Sequence, residues 1–245
     1  MNTKVSIITV CKNSEKTIER TILSVLNQTY RDIEYIIIDG ASTDATTAII
    51  KKYEPQFGGR LKVISERDAG IYDAMNKGIK CSTGELIGII NSDDWYNNTI
   101  VEVMADVFQQ YKDAVLYGYL NHWEDGKIKF IQNNTHETLP VQMIPHPSCF
   151  VPLKLYQKYG MYNTKYAICA DYEFMLRLFT RDVPFQYVSS AEANFSHLGV
   201  STQLNLKSSR EYFIIRREYG YMNSFSYYLK NLSLLFRYLF LKFVK

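Results

Sequence analysis

Two adjacent acids, Asp93 and Asp94, close an apolar run over residues 86–90 together with Asn91 and Ser92. A short apolar run ending in Asn, Ser and Asp predicts a buried strand that delivers carboxylates at its C-terminal end. Neighbouring carboxylates repel unless a cation lies near them. A hard divalent cation takes one or two carboxylates and completes its shell with phosphate oxygens and water. The same residues fit a loop in which Asp93 or Asp94 caps the next helix. Other acids stand in similar places: Asp39 and Asp44 flank Ser42, Asp68 precedes Gly70, and Asp73 and Asn76 stand three apart on a helical face. Singly, each has an ordinary role: turn hydrogen bonding for Asp39 and Asp68, an N-cap for Asp44, a solvated face for Asp73 and Asn76. Asp171 and Glu173 open a later apolar helix, where an N-cap and a dipole partner are the structural alternatives.

The elements that would position these side chains alternate. Residues 4–10, 33–38, 61–65 and 86–90 are strands rich in Val, Ile and Leu. Between them, Ser14 is suited to cap a helix carrying Ile18, Ile22, Leu23, Val25 and Leu26. A second helix runs through Ile49, Ile50 and Tyr53 to a break at residues 55–59, and a third spans 71–79. Strand–helix alternation implies right-handed crossovers and a parallel sheet. The polar clusters at 11–14, 39–44, 65–68 and 91–94 then share one sheet edge, where α/β folds bind ligands and helix N-termini face phosphate. Neither GxGxxG nor GxxxxGK[ST] occurs, which argues against dinucleotide oxidoreductases and P-loop phosphotransferases. Farther on, residues 114–119 and 127–131 predict a hairpin around Glu124-Asp125-Gly126. Residues 189–202, with His197, read as a long lid-like loop.

The 245 residues suffice for one large domain, or one domain with an appendage. Four cysteines without a CxxC pair and no secretory leader before Lys4 predict reduced thiols in the cytoplasm. The four histidines lack any metal-binding spacing. Net charge is +3, but beyond Glu218 the chain has no acid and carries +4, which leaves −1 for the rest. Such a body is no nucleic-acid binder. Residues 224–245 are apolar, aromatic and basic, with uncharged stretches far too short to span a bilayer. They suit a helix lying on an anionic membrane surface; the alternative is packing on the protein's own body or in a homodimer.

The segments VSIITVCKN, EYIIIDGASTD, SERDAGIYDAMNKG, TGELIGIINSDDW and CADYEFMLRL occur in this order. Over about residues 4–200 the chain resembles the family-2 inverting glycosyltransferases of the GT-A fold, in particular bacterial enzymes that build polysaccharide repeat units on lipid carriers. The resemblance implies an α/β fold with a Rossmann-like, mostly parallel central sheet flanked by helices, a small acceptor-side β-hairpin and C-terminal helices. It divides the chain into a glycosyltransferase domain at 1–205, with a nucleotide-binding half at 1–96 and an acceptor-side half at 97–205, and a C-terminal helical segment at 206–245. It implies a nucleotide-diphosphate sugar donor, commonly a UDP-sugar, held by Thr9, Val10, Asn13, Asp39, Ser42, Asp44, Asp68, Asp73, Asn76, Ser92, Asp93 and Asp94. Asp39 would read the base, and Asp93 would face Mn²⁺ or Mg²⁺. Asp171 stands at the position of the family's catalytic base, with His146 and Glu173 on the acceptor side. The acceptor would be a glycan or lipid-linked saccharide of surface polysaccharide or lipopolysaccharide, at the inner face of the cell membrane. Asn91, Lys12 and Met75 depart from the family pattern, standing where many members have Asp, an aromatic ring and Arg.

Two alternatives stay open on sequence. A sugar-1-phosphate nucleotidyltransferase would want a glycine-rich loop where Cys11-Lys12-Asn13-Ser14 stands. A non-catalytic nucleotide- or glycan-binding subunit draws slight support from Asn91. If the tail anchors the protein, deleting residues 224–245 moves it from the membrane to the soluble fraction on cell fractionation; unchanged partitioning refutes the anchor.

Overall fold

The computed structural model of the chain describes residues 3–196, 205–230 and 232–233. Strand β1 (Val5–Cys11) is buried along its whole length, as a Val/Ile-rich strand must be when helices cover both faces of a sheet. It pairs in parallel with β2 (Ile33–Asp39) on one side, and β2 pairs in parallel with β3 (Leu61–Ser65). On its other side β1 pairs in parallel with β4 (Leu86–Ile89). Strand order therefore reverses between β1 and β4, which opens a crevice at their C-terminal ends.

Helices α1 (Ile18–Leu26), α2 (Thr46–Tyr53) and α3 (Ile71–Cys81) connect these strands. Alternate residues of each strand feed two cores. Ile7, Ile37 and Tyr35 pack with Ile18, Ile22 and Ile50 of α1 and α2. Ile8, Ile36 and Ile38 pack with Met75 and Ile79 of α3. The expected cap differs: α1 begins at Ile18 after Thr17, and Ser14 instead serves the turn before it, its carbonyl accepting from the N–H groups of Thr17 and Ile18.

Beyond β5 (Trp95–Tyr96) and α4 (Ile100–Gln110), the sheet continues through β6 (Val115–Glu124), β7 (Lys127–Gln132), β8 (Phe150–Pro152) and β9 (Phe185–Ser196). The order is β3-β2-β1-β4-β8-β6-β9-β5, with β7 paired to β6. The expected hairpin is β6–β7, turned at Asp125 and Gly126, whose φ of 51° and 74° match a two-residue turn with both central residues left-handed. Strand β7 is the outer partner and exposes Ile128, Phe130 and Ile131. Residues 189–196 are not loop: they extend β9, paired in parallel with β6 and antiparallel with β5. The side chains of Glu192 and Asn194 are satisfied internally. Asn121 Nδ2 donates to Glu192, and Trp123 Nε1 donates to Asn194 Oδ1 at 2.7 Å. The remainder of the expected loop, with His197, lies outside the described residues.

Helix α5 (Leu153–Tyr159) follows β8, α6 (Ala170–Phe179) packs on the α3 side of the sheet, and α7 (Asn205–Glu218) lies near α6. Residues 224–230 are helical and expose Phe225, Tyr228 and Leu229. Among the described residues no helix is long and apolar enough to cross a membrane.

Where β6 crosses β9, a Cβ on Gly118 would sit 2.0 Å from the carbonyl oxygen of Ala191, backbone that cannot step aside. Gly118→Ala is expected to cost about 1–3 kcal/mol or more through overpacking, read as a lower urea midpoint at unchanged m-value.

Candidate active site

The edge where β1, β2 and β4 end carries three polar turns. In the first two, the turn after β1 is tied to the turn after β2. Asn13, left-handed at φ 51°, donates its N–H to Ser42 Oγ at 2.8 Å, and its Oδ1 accepts the N–H of Thr43 at 2.9 Å. Asp39 is fully buried. Its carboxylate accepts from Ser42 Oγ at 2.5 Å, Ser65 Oγ at 2.6 Å and the Ser42 N–H, with the Cys11 thiol at 3.7 Å. Burial, then the nearby Asp39 charge, pushes the Cys11 thiol far above its ordinary range. Asp44 accepts the N–H of Thr46 at 3.0 Å and that of Glu15 at 3.1 Å, so it closes a local turn and joins the two loops. Thr9 is buried with its hydroxyl accepting from Tyr35, and Val10 is a core side chain.

The third turn follows β4 and holds Asn91 to Asp94, closed by the Asp94 N–H donating to the Asn91 carbonyl at 3.1 Å. Ser92 Oγ meets Ser14 Oγ at 2.8 Å, linking this turn to the one after β1. Asp94 is completely buried; its Oδ1 accepts the N–H of Ser196 at 2.9 Å. Its Oδ2 and the Oδ1 of Asn91 are buried acceptors with no hydrogen-bond partner among the described residues. Burial raises the pKa of Asp93, eased by its own backbone N–H and by Arg20. Burial and the adjacent Asp93 raise Asp94 well above the carboxylate range. Arg20 lies 3.6 Å over the Trp95 ring and donates Nη2 to the Asp93 carbonyl at 2.8 Å.

Unpaired buried oxygens and desolvated acids on one turn are costly by themselves, and a divalent cation would offset both terms. Asn91, Asp93 and Asp94 thus fit the oxygen chemistry of Mg²⁺ or Mn²⁺ with phosphate and water completing the shell. No cluster of three His, Cys, Asp or Glu side chains that could hold a metal unaided occurs among the described residues.

Asp68 and Asp73 meet at Lys77, which lies 2.6 Å from Asp68, 2.7 Å from Glu66 and 3.7 Å from Asp73. These partners hold the ammonium above its ordinary pKa. Asp73 also accepts the Ala69 N–H at the start of α3. Asn76 is buried and bonds both backbone groups of Tyr162, accepting its N–H at 3.0 Å and donating to its carbonyl at 2.9 Å. Met75 is core.

Asp171 stands in the first turn of α6. The N-cap there is Cys169 and no side chain caps the helix, so Asp171 is not spent on capping. Its Oδ1 is 2.7 Å from the Tyr72 hydroxyl. Tyr72 begins α3, which leaves the C-terminal end of β3. Phe150 of β8 pairs antiparallel with Gly88 of β4, so His146, just before β8, arrives at the edge where β4 delivers Asn91. Asp171 therefore shares one sheet edge with the Asn91–Asp94 turn. His146 Nε2 is 3.1 Å from Tyr162 Oη, and the Tyr72 and Tyr162 rings are 5.5 Å apart. Burial lowers the His146 pKa, and the charge of Asp171 opposes that shift. Glu173 points elsewhere: it is buried, paired with Arg177 at 3.0 Å and accepting the Tyr219 hydroxyl at 2.5 Å.

Tyr72 and Glu211 escaped the sequence reading. Tyr72 lies within the SERDAGIYDAMNKG segment, where the sequence assigned it no role. Glu211, a surface-type acid in a polar helix, gave no signal at all.

A curled, mostly parallel sheet flanked by helices, with polar turns crowded at one switch-point edge, defines a GT-A glycosyltransferase architecture. Residues 6–181 match the model of glycosyl transferase family 2, and the chain belongs to that family. It is a glycosyltransferase, which removes the nucleotidyltransferase and non-catalytic alternatives. It is 26% identical over 207 residues to a PGL/p-HBAD biosynthesis glycosyltransferase of Mycobacterium tuberculosis, covering 79% of this chain and 77% of that one. It is 33% identical over 184 residues to an uncharacterized glycosyltransferase of the same species, covering 71% and 68%. Among solved structures, S. aureus TarS residues 1–349 in complex with UDP-GlcNAc aligns with TM-score 0.70 at 18% identity, covering 93% of this chain and 69% of that one. The mannosyltransferase PcManGT from Pyrobaculum calidifontis, in complex with GDP-Man and Mn²⁺, aligns with TM-score 0.69 at 14% identity, covering 91% and 66%. At such identities the likeness is one of fold. The chain spans 39% of the longer TarS chain.

A histidine whose pKa is lowered by folding takes up its proton later than the unfolded chain does. As pH falls through the ordinary imidazole value of 6.5, the unfolded state binds a proton that the native state lacks, and stability drops. His146→Gln is expected to flatten the fall in unfolding free energy between pH 7 and pH 5, measured by urea titration at each pH.

Proposed function

We propose that the protein is an inverting glycosyltransferase that moves a sugar from a nucleotide-diphosphate donor, a UDP-sugar, to a hydroxyl of a glycan or lipid-linked saccharide in bacterial surface polysaccharide synthesis. The observation that carries this reading is the position of Asp171. It is a first-turn acid that caps nothing, oriented by a phenol, on the same sheet edge as the orphaned oxygens of Asn91 and Asp94.

The turns after β1 and β2, cross-linked through Asn13, Ser42 and Asp44, form a stiff floor for the nucleoside. Asp39 acts chiefly by holding that floor, since its oxygens are already engaged by Ser42 and Ser65. Asn91, Asp93 and Asp94 would hold Mn²⁺ or Mg²⁺, which when bound neutralises charge on the departing diphosphate. The complexes of TarS with UDP-GlcNAc and of PcManGT with GDP-Man and Mn²⁺ support a nucleotide-sugar donor and a divalent ion here. Asp171 takes the proton of the acceptor hydroxyl as its oxygen bonds the anomeric carbon and the bond from that carbon to phosphate breaks. Attack opposite the leaving group inverts the anomeric centre.

The helix at 224–230, exposing Phe225 and Tyr228 beside Lys230, supports peripheral association with the inner face of the cell membrane. The rest of the expected anchor, apart from residues 232–233, lies outside the described residues.

Asp171→Asn is expected to leave nucleotide-sugar binding intact, by calorimetry with UDP-sugars and Mn²⁺. Transfer should fall by about 10²–10⁴-fold, the usual worth of a general base. Transfer at the wild-type rate removes Asp171 from the mechanism, and retention of the donor's anomeric configuration in the product, read by NMR, removes inversion.

A further inference from the structure

Ile168, three residues before Asp171, is held through both of its backbone polar groups. Its N–H donates to Glu211 Oε2 at 2.9 Å, and its carbonyl lies 2.5 Å from the Tyr72 hydroxyl. Glu211 also accepts the N–H groups of Ala167 at 3.1 Å and Cys169 at 3.1 Å. Three successive N–H groups converging on one carboxylate form an anion nest, filled here by a side chain of the same protein. Cys169 is the N-cap of α6, so this contact fixes where the helix starts and which way its second residue, Asp171, projects. Glu211 belongs to α7, beyond the residues matched by the family model. Around it, α7 is tied down independently: Tyr212 stacks on Tyr172 at 4.1 Å, Arg216 donates to the Pro140 carbonyl at 2.9 Å, and Glu218 pairs with Lys165 at 2.7 Å.

The Tyr72 hydroxyl faces two oxygens with one proton. While Asp171 is ionised, the phenol serves one acceptor at a time, and the other short contact has no hydrogen between its oxygens. Once Asp171 carries a proton, its own O–H can donate to Tyr72 Oη while the phenol donates to the Ile168 carbonyl. Both contacts are then hydrogen bonds. The arrangement is complementary to the proton-loaded base. Among the described residues, His146, Cys149, Cys169 and Tyr162 are titratable neighbours of this pair.

We propose that Tyr72 and Glu211 are positioning residues for Asp171. Glu211 anchors the loop that launches α6. Tyr72 links the Ile168 carbonyl to the carboxyl group and receives its O–H after proton transfer. In that step the acceptor O–H bond breaks and its proton bonds to Asp171, while the phenol keeps its own. This rests on Asp171 being the base.

The test compares Tyr72→Phe, Glu211→Gln and Asp171→Asn, singly and with each positioning variant combined with Asp171→Asn. The assay uses whichever of UDP-glucose, UDP-galactose, UDP-GlcNAc and GDP-mannose the wild-type chain turns over fastest with Mn²⁺. Tyr72→Phe and Glu211→Gln should each lower kcat by about 10- to 100-fold, the scale of a misaligned reacting group, at unchanged donor KM. Neither should lower the residual rate further when Asp171 is already Asn, because a residue acting through another has nothing left to act on. Wild-type kcat in both positioning variants, alongside a collapse in Asp171→Asn, overturns this proposal alone. Undiminished activity of Asp171→Asn overturns the assignment of the base instead. Without any substrate, amide exchange across residues 166–172 should quicken in both positioning variants, and unchanged protection there also overturns the proposal.

Discussion

Parallel pairing of β1 with β2 on one side and β4 on the other is the constraint from which the site follows. Parallel register sends all three strands out of the sheet at the same end, and the helices must return outside it. The polar turns that follow these strands therefore lie on one rim, and the reversal of order between β1 and β4 leaves a gap there. Burial of β1 on both faces makes this arrangement expensive to alter. A register slip would swap Ile7 and Ile8 between the two cores, which are filled for different side chains, and misplace the turns that follow the strand.

Much of this was readable from composition along the chain. Residues 33–38 have no other comfortable environment than a buried strand, and Asp125-Gly126 between two alternating runs admits little but a tight hairpin turn. Elsewhere local pattern misled. Ser14 has the chemistry of an N-cap, but tertiary contacts with Thr46 and Ser92 engage it before the helix begins. Residues 189–196 read as loop because Glu192, Asn194 and Ser196 are polar. They form strand because β6 pairs with them and bonds the side chains of Glu192 and Asn194, while Asp94 accepts the Ser196 N–H, a long-range satisfaction that no window of neighbours reveals. The chemistry behaved similarly. The acids that follow β1 to β4 stand in motifs and could be nominated in advance. Asn76 and Glu173, nominated on the same footing, serve as bolts for Tyr162 and Tyr219.

The acids also divide by how their charge is met. Asp68 and Asp73 share an ammonium, and Asp39 is saturated by hydroxyl and backbone donors. Among the described residues, Asp93 and Asp94 have only the partly buried Arg20 as a nearby cation, and burial prevails over it. Folding thus leaves one turn electrostatically incomplete while completing those around it. Incompleteness of that kind is what separates a site prepared for a charged ligand from a merely polar surface.

Glu211 gives the molecule a particular order of assembly. The loop ahead of α6 leaves the ribosome before the side chain that gathers its amides, and three converging N–H groups remain without their anion until α7 has emerged as well. A nascent chain can lay down β1 to β4 early, but the backbone beside Asp171 acquires its anchor only after α7 has followed.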